Sequence, residues 1–357
     1  MSQLYKIQPA EVAHQDSRIS TLPILLLNIH TLCNCRCVMC DIWQRTESQE
    51  LSAATLMRHR DSLIHLGVRQ VVLSGGEPLL NRDLPAILEF FRSLTIHVTL
   101  LTTGLLLHKR AALIADGVDD IILSLDGPAP IHNTIRRIPR AFETIAHGIG
   151  TIRDLCPSMP IVCRTTVQKQ NHAHLRATVD AAHAIGLDSI SFLPADLTSA
   201  AFNRNEPWTA DRQKEVALTA AEITALESEI EGLIATHQHD IRSRFIQEDE
   251  AKLRRLATRF GEHLEGTPPR SPQCNAPWVS TVMEVDGTLR PCFFQPAIAS
   301  TAGATLEQAL NSTIARAFRS NLDVPTNPIC QRCVCSLNYR PGKIGPEVVS
   351  TLAKSGL

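Results

Sequence analysis

The sequence carries almost no net charge. Its 35 lysines and arginines against 36 acidic residues leave a formal charge of -1, which argues against a nucleic-acid binder held by a basic field. It has no apolar run approaching the length needed to span a bilayer, so no membrane span is expected. The stretch Met1 to Thr21 is polar and lacks the pattern of a secretion signal. A cytoplasmic setting is the expectation. Internal repeats and low-complexity segments are also missing.

Cysteine, by contrast, is plentiful. Eleven cysteines, an odd number, in a chain with no secretion signal point to metal ligation rather than a disulfide framework. Hydrophobic residues make up 44% of the 357, enough for one large α/β domain and a smaller appendage.

Six short apolar runs read as strands: Pro23–Ile29, Val71–Leu73, Val98–Leu101, Asp120–Leu125, Ile161–Val167 and Ser189–Leu193. Helical patterns alternate with them, over Ala53–Leu66, Leu84–Ser93, Lys109–Ala115, Arg140–Leu155 and His172–Ile185. Six β-then-α units predict an α/β fold with a parallel sheet. They are too few for a closed eight-fold barrel, so a partial (β/α)6 barrel is expected. From Thr209 to Glu265 the pattern becomes helical and charged, and Gly266–Pro272 reads as a linker. The expected organisation is an N-terminal extension (1–22), the partial barrel (23–208), a helical connection (209–265), a cysteine-bearing domain (266–340) and a tail (341–357).

Ligand chemistry in parallel α/β folds gathers at the C-terminal ends of the strands. There, after the first strand, Cys33, Cys37 and Cys40 form C-x3-C-x2-C on one tight loop. A [4Fe-4S] cluster normally takes four thiolates. Three leave one iron open, and an open metal position marks a catalytic site. Cys35 falls outside this pattern. Ser74-Gly75-Gly76-Glu77-Pro78 follows the second strand. Its glycines admit close approach of a ligand to the backbone, and free carbonyls with the Glu77 carboxylate can accept from an ammonium group. Ser124 and Asp126 end the fourth strand at the same rim, where they can bind a hydroxyl or polar tail. A common strand-end turn is the alternative for them. A zinc site of Cys33, Cys37, Cys40 and His30 is the alternative for the loop.

The loop and the Gly-Gly-Glu-Pro segment, each after its expected strand, resemble the radical S-adenosylmethionine (SAM) superfamily over roughly residues 23–200. The resemblance implies that SAM chelates the open iron, with Gly75, Gly76, Glu77 and Pro78 about its amino group and Met39 near the adenine. It implies reductive cleavage of SAM to a 5′-deoxyadenosyl radical that abstracts a hydrogen atom from substrate, and a flavodoxin- or ferredoxin-type electron donor. Arg136 and Arg137, after the fourth strand, can hold the SAM carboxylate. They can equally be solvated surface. Thr102-Thr103-Gly104 stands where the family often has Thr-Asn-Gly.

A second set of cysteines lies downstream. Cys274 and Cys292 flank an expected hairpin, Trp278–Val285 and Thr288–Cys292, turned at Asp286-Gly287. Cys330 and Cys333 form a C-x2-C pair with Cys335 beside it. A zinc ribbon uses nearly the same ligand geometry. The spacing Cys274, Gly287, Cys292 resembles the SPASM/twitch extension of the same superfamily. With no cysteine after Cys335, the short twitch form is implied, with one auxiliary [4Fe-4S] cluster on Cys274, Cys292, Cys330 and Cys333, and Cys335 a rival for the last place. Two clusters per chain are therefore implied.

Three fates are open to a substrate radical: oxidation, which needs a base; epimerisation, which needs a hydrogen donor such as a thiol; and cross-linking. Cys163 on the fifth strand is the candidate donor, with core packing as the alternative. Arg164 must face the other way. Asp196, past the sixth strand, is the candidate base, with an exposed loop carboxylate as the alternative. About twenty residues precede the first strand, too few for the leader-binding domain that peptide-modifying relatives often carry. The expectation is an oxidoreductase or isomerase acting on a small polar metabolite. Peptide maturation is the enzymatic alternative, and a non-catalytic zinc or electron-transfer protein the alternative of another class.

Overall fold

A computed structural model describes residues 17–340, apart from 205 and 270. The expected tail and most of the expected N-terminal extension lie outside the described residues. The six expected strands form as β1 (Ile24–His30), β2 (Gln70–Gly75), β3 (His97–Thr102), β4 (Asp120–Ser124), β5 (Ile161–Val167) and β6 (Ser189–Pro194). Each pairs in parallel with the next. The connecting helices are α1 (Ala53–Met57), α2 (Arg60–His65), α3 (Leu84–Ser93), α4 (Leu107–Gly117), α5 (Ala129–Arg136), α6 (Ala141–Leu155) and α7 (Leu175–Ala184). This is the expected α/β architecture with a parallel sheet.

Side-chain alternation along the strands divides the interior into two layers. Leu25, Leu27, Ile29, Leu73, Leu100, Ile121, Leu123 and Ile161 point outward into one large core with the helices. Helix α3 shows how the helices meet it: Leu84, Ile87, Leu88 and Phe91 recur at helical spacing and are fully buried. On the inner face, Ile24, Leu26 and Val72 pack with Val282, Leu337 and Tyr339 to plug the barrel floor.

Two differences from the expected pattern bear on the site. The single helix expected over Ala53–Leu66 is two helices, broken where the buried His59 starts the second. Helix α5 was not among the expected helices, and it contains Pro130. It sits in the first turn of the helix, where a missing N–H costs nothing.

After β6 come α8 (Ala210–Gln213), α9 (Ala220–Thr236), α10 (Gln238–Ser243) and α11 (Glu250–Glu265). A capping box between Thr219 and Glu222 starts α9. The expected hairpin forms as β7 (Ser280–Met283) and β8 (Thr288–Arg290), followed by the short β9 (Ala299–Ser300). Its placement is new: β7 pairs in parallel with β1, so the sheet order is β6-β5-β4-β3-β2-β1-β7-β8-β9. The cysteine-bearing region continues the barrel's own sheet.

Candidate functional site: two cysteine centres on one sheet

The first cysteine loop leaves the C-terminal end of β1 and is held from both sides. Arg36 N donates to the Arg136 carbonyl (3.1 Å) and Val38 N to the Ile135 carbonyl (3.0 Å), tying the loop to the end of α5. The thiols sense one another's charge. Burial pushes Cys33 and Cys40 up to about 12. Cys37 is held down to about 6, chiefly by a hydrogen bond from the Cys35 thiol and then by the Arg136 guanidinium. Arg136 Nη1 lies 3.3 Å from Cys37 Sγ, and Ile42 N lies 3.5 Å from Cys40 Sγ. Donors directed at cysteine sulfurs suit thiolate ligands. His30 does not complete a zinc site: its Nδ1 accepts from Leu32 N (3.0 Å), and its Nε2 faces Glu50. Among the described residues, no three His, Cys, Asp or Glu side chains converge as a single metal ion requires. A cube takes each thiolate on a separate corner and needs no such convergence.

The Gly-Gly segment crosses this loop at backbone distance. Gly76 N donates to the His30 carbonyl (2.7 Å) and Glu77 N to the Leu32 carbonyl (2.8 Å). A Cβ on Gly76 would stand 2.1 Å from the Leu32 carbonyl oxygen, and Gly75 has φ of 130°, so glycine is required at both. Glu77 is fully buried and does not face the rim. Its carboxylate accepts from Leu79 N (3.0 Å), Thr102 Oγ1 (2.8 Å), Thr103 N (2.8 Å) and Thr103 Oγ1 (2.7 Å). Burial raises its pKa against those donors. Thr103 Oγ1 also lies 2.9 Å from Asn34 Oδ1 in the cysteine loop. The threonine found in place of asparagine therefore joins β3, Glu77 and the loop. Pro78 opens the short turn that follows.

Asp126 and Arg136 require a correction. Neither is placed to meet a ligand at the rim. They form a buried ion pair, 2.7 Å apart, and Asp126 also accepts from Thr166 N (3.1 Å). A carboxylate at 0% exposure is stable there because a cation is beside it. Arg136 therefore faces Cys37 rather than a carboxylate of SAM, while Arg137 is exposed. Helix α5, invisible in the sequence, makes this arrangement.

The second centre gathers Cys274, Cys292, Cys330 and Cys333, which influence one another's charge, with Cys335 beside Cys274 and Cys333. Burial pushes Cys292 up to about 12. Gln295 Nε2 lies 3.3 Å from Cys330 Sγ, and Leu337 N lies 3.5 Å from Cys274 Sγ. Arg259 of α11 donates to the carbonyls of Gln331 (2.9 Å) and Cys333 (2.7 Å), fixing the C-x2-C turn.

Residues 27–182 match the radical SAM superfamily, and residues 274–334 match SPASM, an iron-sulfur cluster-binding domain. The chain contains a radical SAM domain followed by a SPASM domain. A probable GTP 3',8-cyclase of Methanococcus maripaludis is 34% identical over 127 residues, 34% of this chain and 43% of that protein. An AdoMet-dependent heme synthase of Methanosarcina barkeri is 31% identical over 159 residues, 43% of this chain and 45% of that protein. The chain spans about half the length of the curated relatives it matches. Streptococcus suis SuiB bound to S-adenosylmethionine superposes with a TM-score of 0.59 at 14% identity, covering 89% of this chain and 73% of SuiB. SuiB bound to precursor peptide SuiA gives 0.60 at 13%, covering 88% and 71%. Those two superpositions show the fold. The two domains imply [4Fe-4S] clusters and SAM as cofactors.

The remaining candidates of the radical SAM domain separate by strand face. Cys163 is 1% exposed and packs in the outer core with the helices, so it does not reach the cavity; burial keeps its thiol well above its ordinary pKa. Arg164 takes the inner face instead. It stands in register with Ser124 on β4 and Ser191 on β6. Ser124 is half-buried at this rim. Asp196 is also corrected. It is neither an exposed loop carboxylate nor a free base, for Arg204 Nη1 holds it at 2.6 Å and Ser199 Oγ at 2.5 Å. Sequence reading missed Glu284. It follows β7 and accepts from Asn28 Nδ2 (2.8 Å) and Arg290 Nε (3.1 Å), above the apolar floor. Only the pairing of β7 with β1 brings it there. A cavity of about 270 Å³ lies between Pro194–Thr198, the end of α11, and Arg332 and Val334 beside Cys333. Among the described residues, no helix is long and apolar enough to cross a membrane.

Proposed function

We propose that Cys33, Cys37 and Cys40 hold the SAM-binding cluster, that Cys274, Cys292, Cys330 and Cys333 hold one auxiliary [4Fe-4S] cluster, and that the enzyme oxidises a small polar substrate. The observation that carries this reading is the C-x3-C-x2-C loop at the strand ends, with a guanidinium on the Cys37 sulfur and a backbone cradle at Gly75-Gly76. Such a cluster with SAM supplies a radical able to abstract a hydrogen atom, and a fully ligated second cluster supplies a one-electron acceptor. The carbonyls around Gly75 and Gly76 accept from an amino group, with Glu77 and Pro78 fixing their course. Arg164 and Ser124 present a cation and a hydroxyl to a carboxylate or a sugar hydroxyl. Met39 lines the loop where an adenine would lie.

Two placements favour oxidation over epimerisation. Cys163, the cysteine of the strands, is in the outer core, which leaves no strand thiol on the inner face to return a hydrogen. Glu284, ion-paired with Arg290 as Asp196 is with Arg204, differs in standing on the inner face, where its carboxylate can take a proton. The polar inner row of Ser124, Arg164 and Glu284 suits a small polar molecule. A flavodoxin- or ferredoxin-type donor in the cytoplasm completes the reading.

The test is an anaerobic reaction of reconstituted protein with SAM, a reductant and deuterium-labelled cell extract, fractionated by size. Deuterium entering 5′-deoxyadenosine from the small-molecule fraction supports the reading. Deuterium arriving only from the peptide fraction makes the protein a peptide maturase. An electron paramagnetic resonance (EPR) spectrum of the reduced protein unchanged by SAM removes the radical reading altogether.

A further inference from the structure

The segment after β6 is built with more constraint than a connection needs. It turns back beneath the first cysteine loop and binds the backbone on both sides of Cys40. Arg204 Nη2 donates to the Met39 carbonyl (3.3 Å), Arg212 to the Val38 carbonyl, and Asn203 Nδ2 to the Asp41 carbonyl (3.1 Å). Trp208 Nε1 donates to the Asp41 carboxylate. Three carbonyls within four residues are thus fixed from one segment.

The segment is itself locked. Arg204 is 7% exposed, and its guanidinium carbon stacks 3.7 Å from the Trp208 ring centroid; that of Arg212 lies 4.3 Å from the same ring. Asp196 anchors Arg204 at 2.6 Å. Phe202 and Asn203 adopt φ of 58° and 67°, a left-handed conformation kept only where surroundings enforce it. The enforcement is visible. Asn203 Oδ1 accepts from Arg45 Nε (2.8 Å), and Phe202 meets Phe294, two residues past Cys292, ring to ring at 5.9 Å.

We propose that Asp196, Asn203, Arg204, Trp208 and Arg212 are a positioning clamp for the first cluster: Arg204 and Arg212 hold the Val38-Met39 backbone in place and raise the reduction potential of the iron-sulfur group borne by Cys33, Cys37 and Cys40. This rests on those cysteines holding a cluster. Reduction adds negative charge, and a buried guanidinium nearby favours the more negative state. Arg204 reaches the carbonyl of Met39, the residue next to Cys40. Asp196, expected from the sequence to serve as a base, instead orients this cation.

The experiment compares reconstituted holoprotein of wild type, R204M, R204K and R212Q by iron and sulfide content, EPR-monitored redox titration, and the EPR spectrum with SAM. R204M is expected to shift the first cluster's midpoint to more negative potential and to change the SAM-bound spectrum. R204K restores most of the potential, and R212Q shifts it less in the same direction. Wild-type potential and spectrum in both R204M and R212Q, at full iron content, overturn the clamp. If R204M fails to retain iron, R212Q decides alone, because its side chain is partly exposed; an unshifted R212Q then overturns the proposal. A wild-type spectrum indifferent to SAM would fail the functional reading, while the potentials would still judge the clamp.

Discussion

The two cysteine centres stand on one sheet yet are surrounded differently. The first is ringed by cations: Arg136 touches Cys37, and Arg204 and Arg212 grip the backbone beside Cys40. At the second, the donors that reach sulfur are neutral, a glutamine amide at Cys330 and a backbone N–H at Cys274. The nearby Arg259 binds carbonyls and not sulfur. Buried ion pairs concentrate at the first loop, Arg136 with Asp126 and Arg204 with Asp196, while Arg212 lies near Asp41. Around the four thiols of the second centre, the hydrogen bonds come from neutral groups. The difference teaches that the two centres, alike in cysteine content, are set in different electrostatic surroundings: a network of ion pairs at the first and neutral donors at the second.

The largest test of the comparison removes a ligand from each centre. Cys37→Ala should lose about four of about eight irons and abolish SAM cleavage, read as 5′-deoxyadenosine formed. Cys292→Ala should also lose iron, yet keep a measurable uncoupled cleavage of SAM while substrate turnover stops. Full turnover in Cys292→Ala would erase the division of labour between the centres.

Next in size is the buried pair behind the first loop. Arg136→Met leaves Asp126 charged and alone, at a cost of about 3–5 kcal/mol in urea unfolding. The double change Arg136→Met with Asp126→Leu should regain much of that stability while the first cluster's spectrum stays altered. Recovery of both would make the pair purely structural.

A smaller effect is pH-dependent. His132 is buried and accepts from Asp126 N (3.1 Å), and burial holds its pKa down to about 3. The unfolded chain therefore binds the extra proton first, and stability falls as pH drops below about 6.5. The slope is about 1.4 kcal/mol per pH unit, levelling near pH 3. His132→Asn should flatten that slope in urea midpoints measured between pH 5 and 7. Smallest is Cys335→Ser, expected to leave iron content unchanged; a loss of about four irons would move the last auxiliary ligand from Cys333 to Cys335.

Much of this was legible in the chain. Strand limits, the outer helices and the hairpin turned at Gly287 followed from periodicity and turn chemistry, because these are local. The first cysteine set lies on one short loop and was legible for the same reason, whereas the second joins cysteines flanking the hairpin to Cys330 and Cys333 at a helix well downstream. Errors fell on residues whose meaning depends on which way a side chain points. Cys163 and Arg164 are neighbours on β5, and a one-residue alternation sent the thiol to the helices and the guanidinium to the cavity.

Sequence alone determined the cysteine loop, the Gly-Gly crossing and the alternation of strand and helix, since each is encoded within a few residues. Tertiary structure alone decided the rest. Burial beside Arg136 turned Asp126 into an internal counter-ion, the fold-back after β6 turned Asp196 into an anchor, and the pairing of β7 with β1 carried Glu284 to the inner face. Partners distant along the chain fix the charge and direction of a side chain, and no local pattern records them.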